Sequence, residues 1–196
     1  RPAAGHCPMT ATTSPQDAAT LSALALALVT QPRASLQELA KAIGVSKATL
    51  YRFCRTREQL VARLIAHSMD TMNRLLQQAR LDEDDPIEAL RRLTALQLEH
   101  RELAAFLTYY WKEADASLSD ASAAAWDAQM DAFFLRGQQQ GVFRIDFSAA
   151  ALTEIWVAAF IGLADAERRG RVARAGLGTL LERAFLQGTL AETACE

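Results

Sequence analysis

The chain has 196 residues, 51% hydrophobic and 22% charged, a balance that excludes a disordered or fibrous protein. Nine Gly and five Pro leave too little punctuation for many short strands, so an all-α fold is expected. The net charge of −2 hides an asymmetry: residues 33–80 hold nine Lys/Arg against three acids (+6), and residues 81–196 eleven against nineteen (−8), which points to a polyanion partner at one end.

Residues 1–15 read as a tail outside the fold, with Met9 a candidate natural start. A first helix is expected from Asp17 to about Gln31, where Pro32 stops it. Ser35 then reads as an N-cap with Glu38 as its capping-box partner. Leu36, Leu39, Ala40 and Ile43 follow at helical spacing, and Gly44 closes this short second helix. Ser46 caps a third helix containing Leu50 and Phe53. Thr56, with Gln59 three residues on, opens a long fourth helix to about Arg80, striped by Leu60, Leu64, Ile65, Met69, Met72, Leu75 and Leu76.

Asp85 as cap and Pro86 at the first helical position start the next helical run, expected to reach Glu113 with a break near His100. Another helix is expected from about Asp120 to Gln140, ended by Gly141. Asp146 is expected to cap a helix from Phe147 to about Arg169, ended by Gly170, and a last helix covers about Ala173 to Leu190. The expectation is about nine helices and no strand. It divides the chain into a tail (1–15), a basic three-helix domain (16–63) and a larger helical domain (64–196).

The functional signal lies between Leu36 and Phe53. Two short helices crossing steeply need a small residue where their backbones approach, and Ala40 supplies it. The turn needs a residue tolerant of positive φ, which Gly44 provides. Apolar side chains must face the first helix, and Leu39, Ile43, Val45, Leu50 and Phe53 do so at the required offsets. This is the packing pattern of a helix-turn-helix, whose second helix enters the DNA major groove. Its exposed face would present Ser46, Lys47, Ala48, Thr49 and Arg52 to base edges or phosphates. Ser35, Tyr51, Arg55 and Arg57 suit phosphate contacts that set the register.

The run Gly44-Val-Ser-Lys-Ala-Thr-Leu-Tyr51, followed by Arg57-Glu-Gln-Leu60, resembles the DNA-binding signature of the tetracycline-repressor (TetR) family. Ser35 to Ala40 is similar to the helix that precedes it in that family, as is the later connection from Gly141 to Asp146. Two departures stand out. Phe53-Cys54 replaces the usual His or Tyr followed by Phe, and Arg57 replaces the usual Lys. The first removes a common phosphate contact, which Arg55 and Arg57 are left to supply.

The resemblance implies a dimerising, effector-binding second domain, and the residues are compatible with one. Residues 149–164 are apolar almost all round, so they must bury more than one face, within the chain or against a second copy. By resemblance, the last two helices form the dimer interface, with Leu152, Ile155, Phe160, Leu177, Leu180, Leu181 and Phe185 contributing. The family's effector pocket lies where this chain carries Phe106, Tyr110, Trp111, Trp126, Phe133 and Trp156, with Met69, Met72 and His100 nearby. Either core packing or a cavity for a hydrophobic or aromatic small molecule accounts for them.

Other chemistries find little support. Cys7, Cys54 and Cys195 are far apart and odd in number, which fits a reducing cytoplasm and no disulfide framework. Cys54 beside the reading helix reads as a buried structural thiol more readily than as a redox switch. His67 and His100 lack partners at metal-ligand spacing, so no metal or other cofactor is expected. Gly176-Leu-Gly178 lacks a preceding strand and a third glycine, and no catalytic constellation is present. The longest apolar stretch, the 16 residues from Ala149 to Ala164, contains Thr153 and Glu154 and falls short of the roughly 20 that a bilayer span needs.

The reading is thus a cytoplasmic regulator, not an enzyme, with operator DNA, a second copy of itself and a small-molecule effector as partners and no membrane. Repression relieved by the effector at a palindromic operator is the family-level expectation. A DNA-binding dimer controlled by a protein partner, or with no small-molecule effector, is the alternative.

Overall fold

The computed structural model describes residues 15–83, 85–110 and 116–189, and within these the side chains of all but residues 15 and 116–122. The expected tail, Trp111, Glu113, Cys7, Cys195 and the expected helix end at Leu190 lie outside the described residues. Among those residues there are nine helices and no strand: α1 (Pro15–Thr30), α2 (Leu36–Ala42), α3 (Lys47–Phe53), α4 (Arg57–Ala79), α5 (Pro86–Glu99), α6 (Arg101–Tyr110), α7 (Ala116–Gln139), α8 (Ala149–Arg168) and α9 (Leu177–Thr189).

The caps account for most of these boundaries. Ser35 and Glu38 form a full capping box, Ser46 accepts from the Thr49 amide, and Thr56 accepts from the Gln59 amide. The Asp85 carboxylate accepts from the Ile87 and Glu88 amides, with Pro86 filling the first helical position. His100 interrupts the run between α5 and α6, as its placement in the sequence suggests. Elsewhere the ends differ from expectation. Asp146 does not cap α8, because it is paired with Arg144; Ser148 takes the role, accepting from the Ala151 amide. α9 starts at Leu177 rather than Ala173, since Gly176 before it is left-handed (φ +81°).

Two apolar clusters divide along α4. The first joins Leu21, Leu24 and Leu28 of α1, Leu39, Leu50 and Phe53 of α2 and α3, and Leu60, Leu64 and Leu75 of α4. It also takes in Leu103, Phe106 and Tyr110 of α6. The second begins at Leu76 and Ala79 and gathers Leu90, Leu93, Phe133, Phe134, Phe143, Trp156 and Phe185 from α5 to α9. α4 therefore runs continuously through both. By length and composition α8, at 20 residues, could cross a membrane, contrary to the sequence expectation. It packs instead against α7 and α9 through Leu152, Trp156 and Phe160.

The connection between α7 and α8 is locked by Phe143, fully buried and in edge contact with Phe133 and Phe134. Its ring lies so close to Gly137 that a Cβ there would overlap it. Gly137→Ala is expected to lower the unfolding free energy by about 1–3 kcal/mol through overpacking. A Cβ on Gly188 of α9 meets nothing within 4 Å, so Gly188→Ala is expected to raise it by about 0.5–1 kcal/mol. Urea unfolding of the two variants checks both signs.

Candidate nucleic-acid interface and internal cavity

A seven-residue helix such as α3 is too short to persist alone, so tertiary contacts must hold it. Leu50 is fully buried, Phe53 nearly so, and Ile43 and Val45 pack against the same cluster. Gly44 in the turn has φ +72°, the left-handed geometry required there. Arg63 of α4 donates to the Phe53 carbonyl at 3.0 Å and lies 4.9 Å from that ring, closing the C-terminal end of α3. Cys54 is 4% exposed, and burial pushes its thiol above the ordinary range against the opposing charge of Arg63. That environment is the inert, packed one rather than the activated thiolate of a switch.

The outward face of α3 carries Lys47, Ala48, Tyr51 and Arg52, all exposed, and exposed Ser46 and Arg55 flank it. Lys47 lies over the Tyr51 ring at 5.3 Å, which holds the ammonium along the helix. Thr49 is half-buried, its hydroxyl paired with that of Ser46 at 2.8 Å. Two expected phosphate contacts are otherwise engaged. The Glu38 carboxylate accepts from the Ser35 amide and from the Ser35 hydroxyl, each at 2.8 Å, and the two hold that carboxyl below its usual range. Arg57 turns inward, donating to the Pro32 carbonyl at 2.6 Å and to the Tyr110 hydroxyl at 3.4 Å. The residue that departs from the usual Lys at this position thus serves the interior.

Behind this module lies a cavity of about 460 Å³. Met69 and Met72 of α4, Trp126 of α7 and Trp156 of α8 line it, as the sequence reading places them. Phe106, Tyr110, Phe133 and His100 do not. Phe106 and Tyr110 stack on each other (centroids 4.7 Å apart) and are buried in the α1 cluster, while Ala104, Leu107 and Thr108 on the other face of α6 meet the cavity. Phe133 belongs to the Phe134–Phe143 core, and His100 is the C-cap of α5. The sequence reading missed Gln97, Asp127 and Glu154, which also line the cavity. Glu154 had a visible signal, being the one charge within residues 149–164.

The expected dimer residues also divide. Leu152, Phe160, Leu177, Leu181 and Phe185 are spent within the chain; Phe185, for example, lies 5.4 Å from Trp156 and 5.6 Å from Phe134. Ile155 and Leu180 remain 41% and 43% exposed and are the two that a partner could reach.

An exposed basic helix, held by a glycine turn against a three-helix core, defines a helix-turn-helix DNA-binding protein. No family model matches the sequence. The chain is 47% identical over 171 residues to the HTH-type transcriptional regulator NfxB of Pseudomonas aeruginosa, covering 86% of this chain and 91% of that protein. Its fold is similar to that of the ketosteroid transcriptional regulator KstR2 of Mycobacterium tuberculosis (TM-score 0.73, 17% identity, 91% of this chain and 97% of that one). It is also similar to the TetR-like regulator LfrR of Mycobacterium smegmatis, solved in complex with proflavine (TM-score 0.64, 24% identity, 87% and 93%). The chain belongs to the TetR family and is a DNA-binding transcriptional regulator.

Two kinds of substitution in α3 are expected to separate. Lys47→Ala and Arg52→Ala should each weaken operator binding by about 1–3 kcal/mol while leaving thermal unfolding unchanged. Leu50→Ala, opening a cavity under the helix, should cost about 2–5 kcal/mol of stability. Fluorescence anisotropy with operator DNA and a melting curve, run on the same preparations, distinguish them.

Proposed function

We propose that the protein is a cytoplasmic repressor that binds a palindromic operator as a homodimer and is released by a hydrophobic or aromatic small molecule entering the cavity. The observation that carries this reading is the position of α6 between cavity and reading head. Ala104, Leu107 and Thr108 face the cavity, while Phe106 and Tyr110, one turn or less away, pack on α1. The Tyr110 hydroxyl donates to the Leu28 carbonyl at 3.1 Å and accepts from Arg57, the first residue of α4. A ligand that displaces α6 therefore acts on the ends of α1 and α4 that frame α2 and α3. Because the coupling is thermodynamic, ligand and operator weaken each other's binding by the same factor.

Dimerisation is supported by the exposed Ile155 and Leu180 on α8 and α9, and two-fold symmetry matches paired half-sites. The proflavine bound by LfrR, a structural relative, is a planar aromatic of the class proposed here. Lys47, Arg52 and Arg55 carry the phosphate and base contacts, with Ser46, Ala48, Thr49 and Tyr51 completing the reading face.

Anisotropy with DNA from the protein's own upstream region, against a shuffled control, tests the reading. The expected result is preferential binding at two subunits per site, falling steeply with salt as counterions are released. Equal, weak binding to both DNAs would overturn the local-operator part, and a monomer on DNA the symmetric part. Tyr110→Phe is expected to retain operator binding but reduce ligand-induced release, with roughly 1 kcal/mol of stability lost with the buried hydrogen bond. Unchanged release in that variant would place the coupling elsewhere.

A further inference from the structure

The cavity is apolar over most of its wall, yet among the described residues its charged groups are all of one sign. Asp127 and Glu154 line it, and no described Lys, Arg or His does. Asp131, one turn beyond Asp127, accepts from the Thr153 hydroxyl at 2.6 Å. Among the described residues, none of these three carboxylates has an ion-pair partner. Burial, together with the charges of Glu154 and Asp131, holds the Asp127 carboxyl above its usual range. The cluster is thus internally repulsive, and a positive charge at this wall would relieve it.

Two further polar side chains belong to this space. Gln97 is 4% exposed and lines the cavity. The Trp126 indole N–H is buried without an acceptor. Trp126 and Trp156 line the same cavity as the carboxylates, so aromatic surface is available to a cation there. A bare metal ion does not fit: no group of three or more His, Cys, Asp or Glu among the described residues could hold one. The apolar residues Met69, Leu107, Val157 and Phe160 call for an organic body.

We propose that the cavity is selective for lipophilic aromatic cations, whose positive charge sits against Asp127 and Glu154 while the ring system lies along Trp126 and Trp156. This rests on the reading of the cavity as an effector site and adds the sign of the charge. It distinguishes the site from an equally apolar one that would take neutral or anionic ligands.

The test uses three probes sharing one naphthalene ring: naphthylmethyl-trimethylammonium, its neutral tert-butyl isostere, and naphthylacetate. Calorimetry on the full chain, without DNA, is expected to give the cation about a tenfold advantage over the isostere, with the anion weakest. The double variant Asp127→Asn, Glu154→Gln should erase that advantage while changing the isostere's affinity less than about twofold. A melting curve and operator anisotropy on the variant establish that it is folded. Equal affinity for cation and isostere, or an advantage that survives in the folded variant, overturns the proposal. If the isostere nonetheless releases operator, the effector reading stands and only the charge selectivity fails. If no probe binds while operator binding persists, both readings of the cavity fail and the DNA-binding function remains.

Discussion

The junction at the foot of α6 is the constraint on which the arrangement of this protein depends. Tyr110 places one hydroxyl between an acceptor on α1 and a donor on α4, and its ring is stacked on Phe106. Arg57 brings the Pro32 carbonyl into the same set, so the ends of three helices and the α1–α2 turn meet at two side chains. Such a junction resists local distortion because buried hydrogen bonds and close packing tie its parts together. A displacement of α6 would strain its contacts with both α1 and α4.

The reading helix shows how stability and recognition are assigned to different faces of seven residues. Leu50 and Phe53 hold the helix in place, Gly44 sets its entry angle, and Arg63 closes its far end. Lys47 and Arg52 contribute little to that hold, being exposed and, at the surface, worth little to folding. Their charge is free to be spent on phosphates or guanine edges. The charge segregation seen in the sequence fits this division: the basic residues gather around α2–α4, and the acidic excess lies in the rest of the chain.

How far all this could be read in advance differs by the kind of interaction involved. Local signals were legible. Ser35 with Glu38, Thr56 with Gln59 and Asp85 with Pro86 act within four residues, and each caps the helix that the sequence assigns to it. The seven helix-turn-helix positions were legible for the same reason, since offsets of a few residues fix which side chains meet. Competition among nearby groups was not. Asp146 and Ser148 both suit an N-cap, and the choice fell to Ser148 because Arg144 holds the acid. Long-range direction was least legible. Nothing in the order of Phe106, Leu107 and Tyr110 says which face of α6 meets α1, so the aromatic residues expected in the cavity lie in the core and the plainer Ala104, Leu107 and Thr108 take their place.

α8 resolves the apparent contradiction of a helix apolar on all sides. Leu152, Trp156 and Phe160, spaced four apart, form one stripe and are buried in the chain's core. Glu154, Val157 and Ile161 form a second stripe, which lines the cavity. Ile155, Ala158 and Gly162 form a third, which is exposed. At 3.6 residues per turn these stripes point in three directions, toward core, cavity and outer surface, with Trp156 and Phe160 bordering core and cavity alike. Hydrophobicity summed along the helix therefore merges three separate demands into one signal resembling a membrane span. Within residues 149–164 only Glu154 breaks the pattern, and it does so on the stripe that faces the cavity. A charge in the core stripe would be left buried and unpaired, and one on the outer stripe would be of little consequence. On the cavity stripe it sets the electrostatic character of the space that the helix helps to enclose.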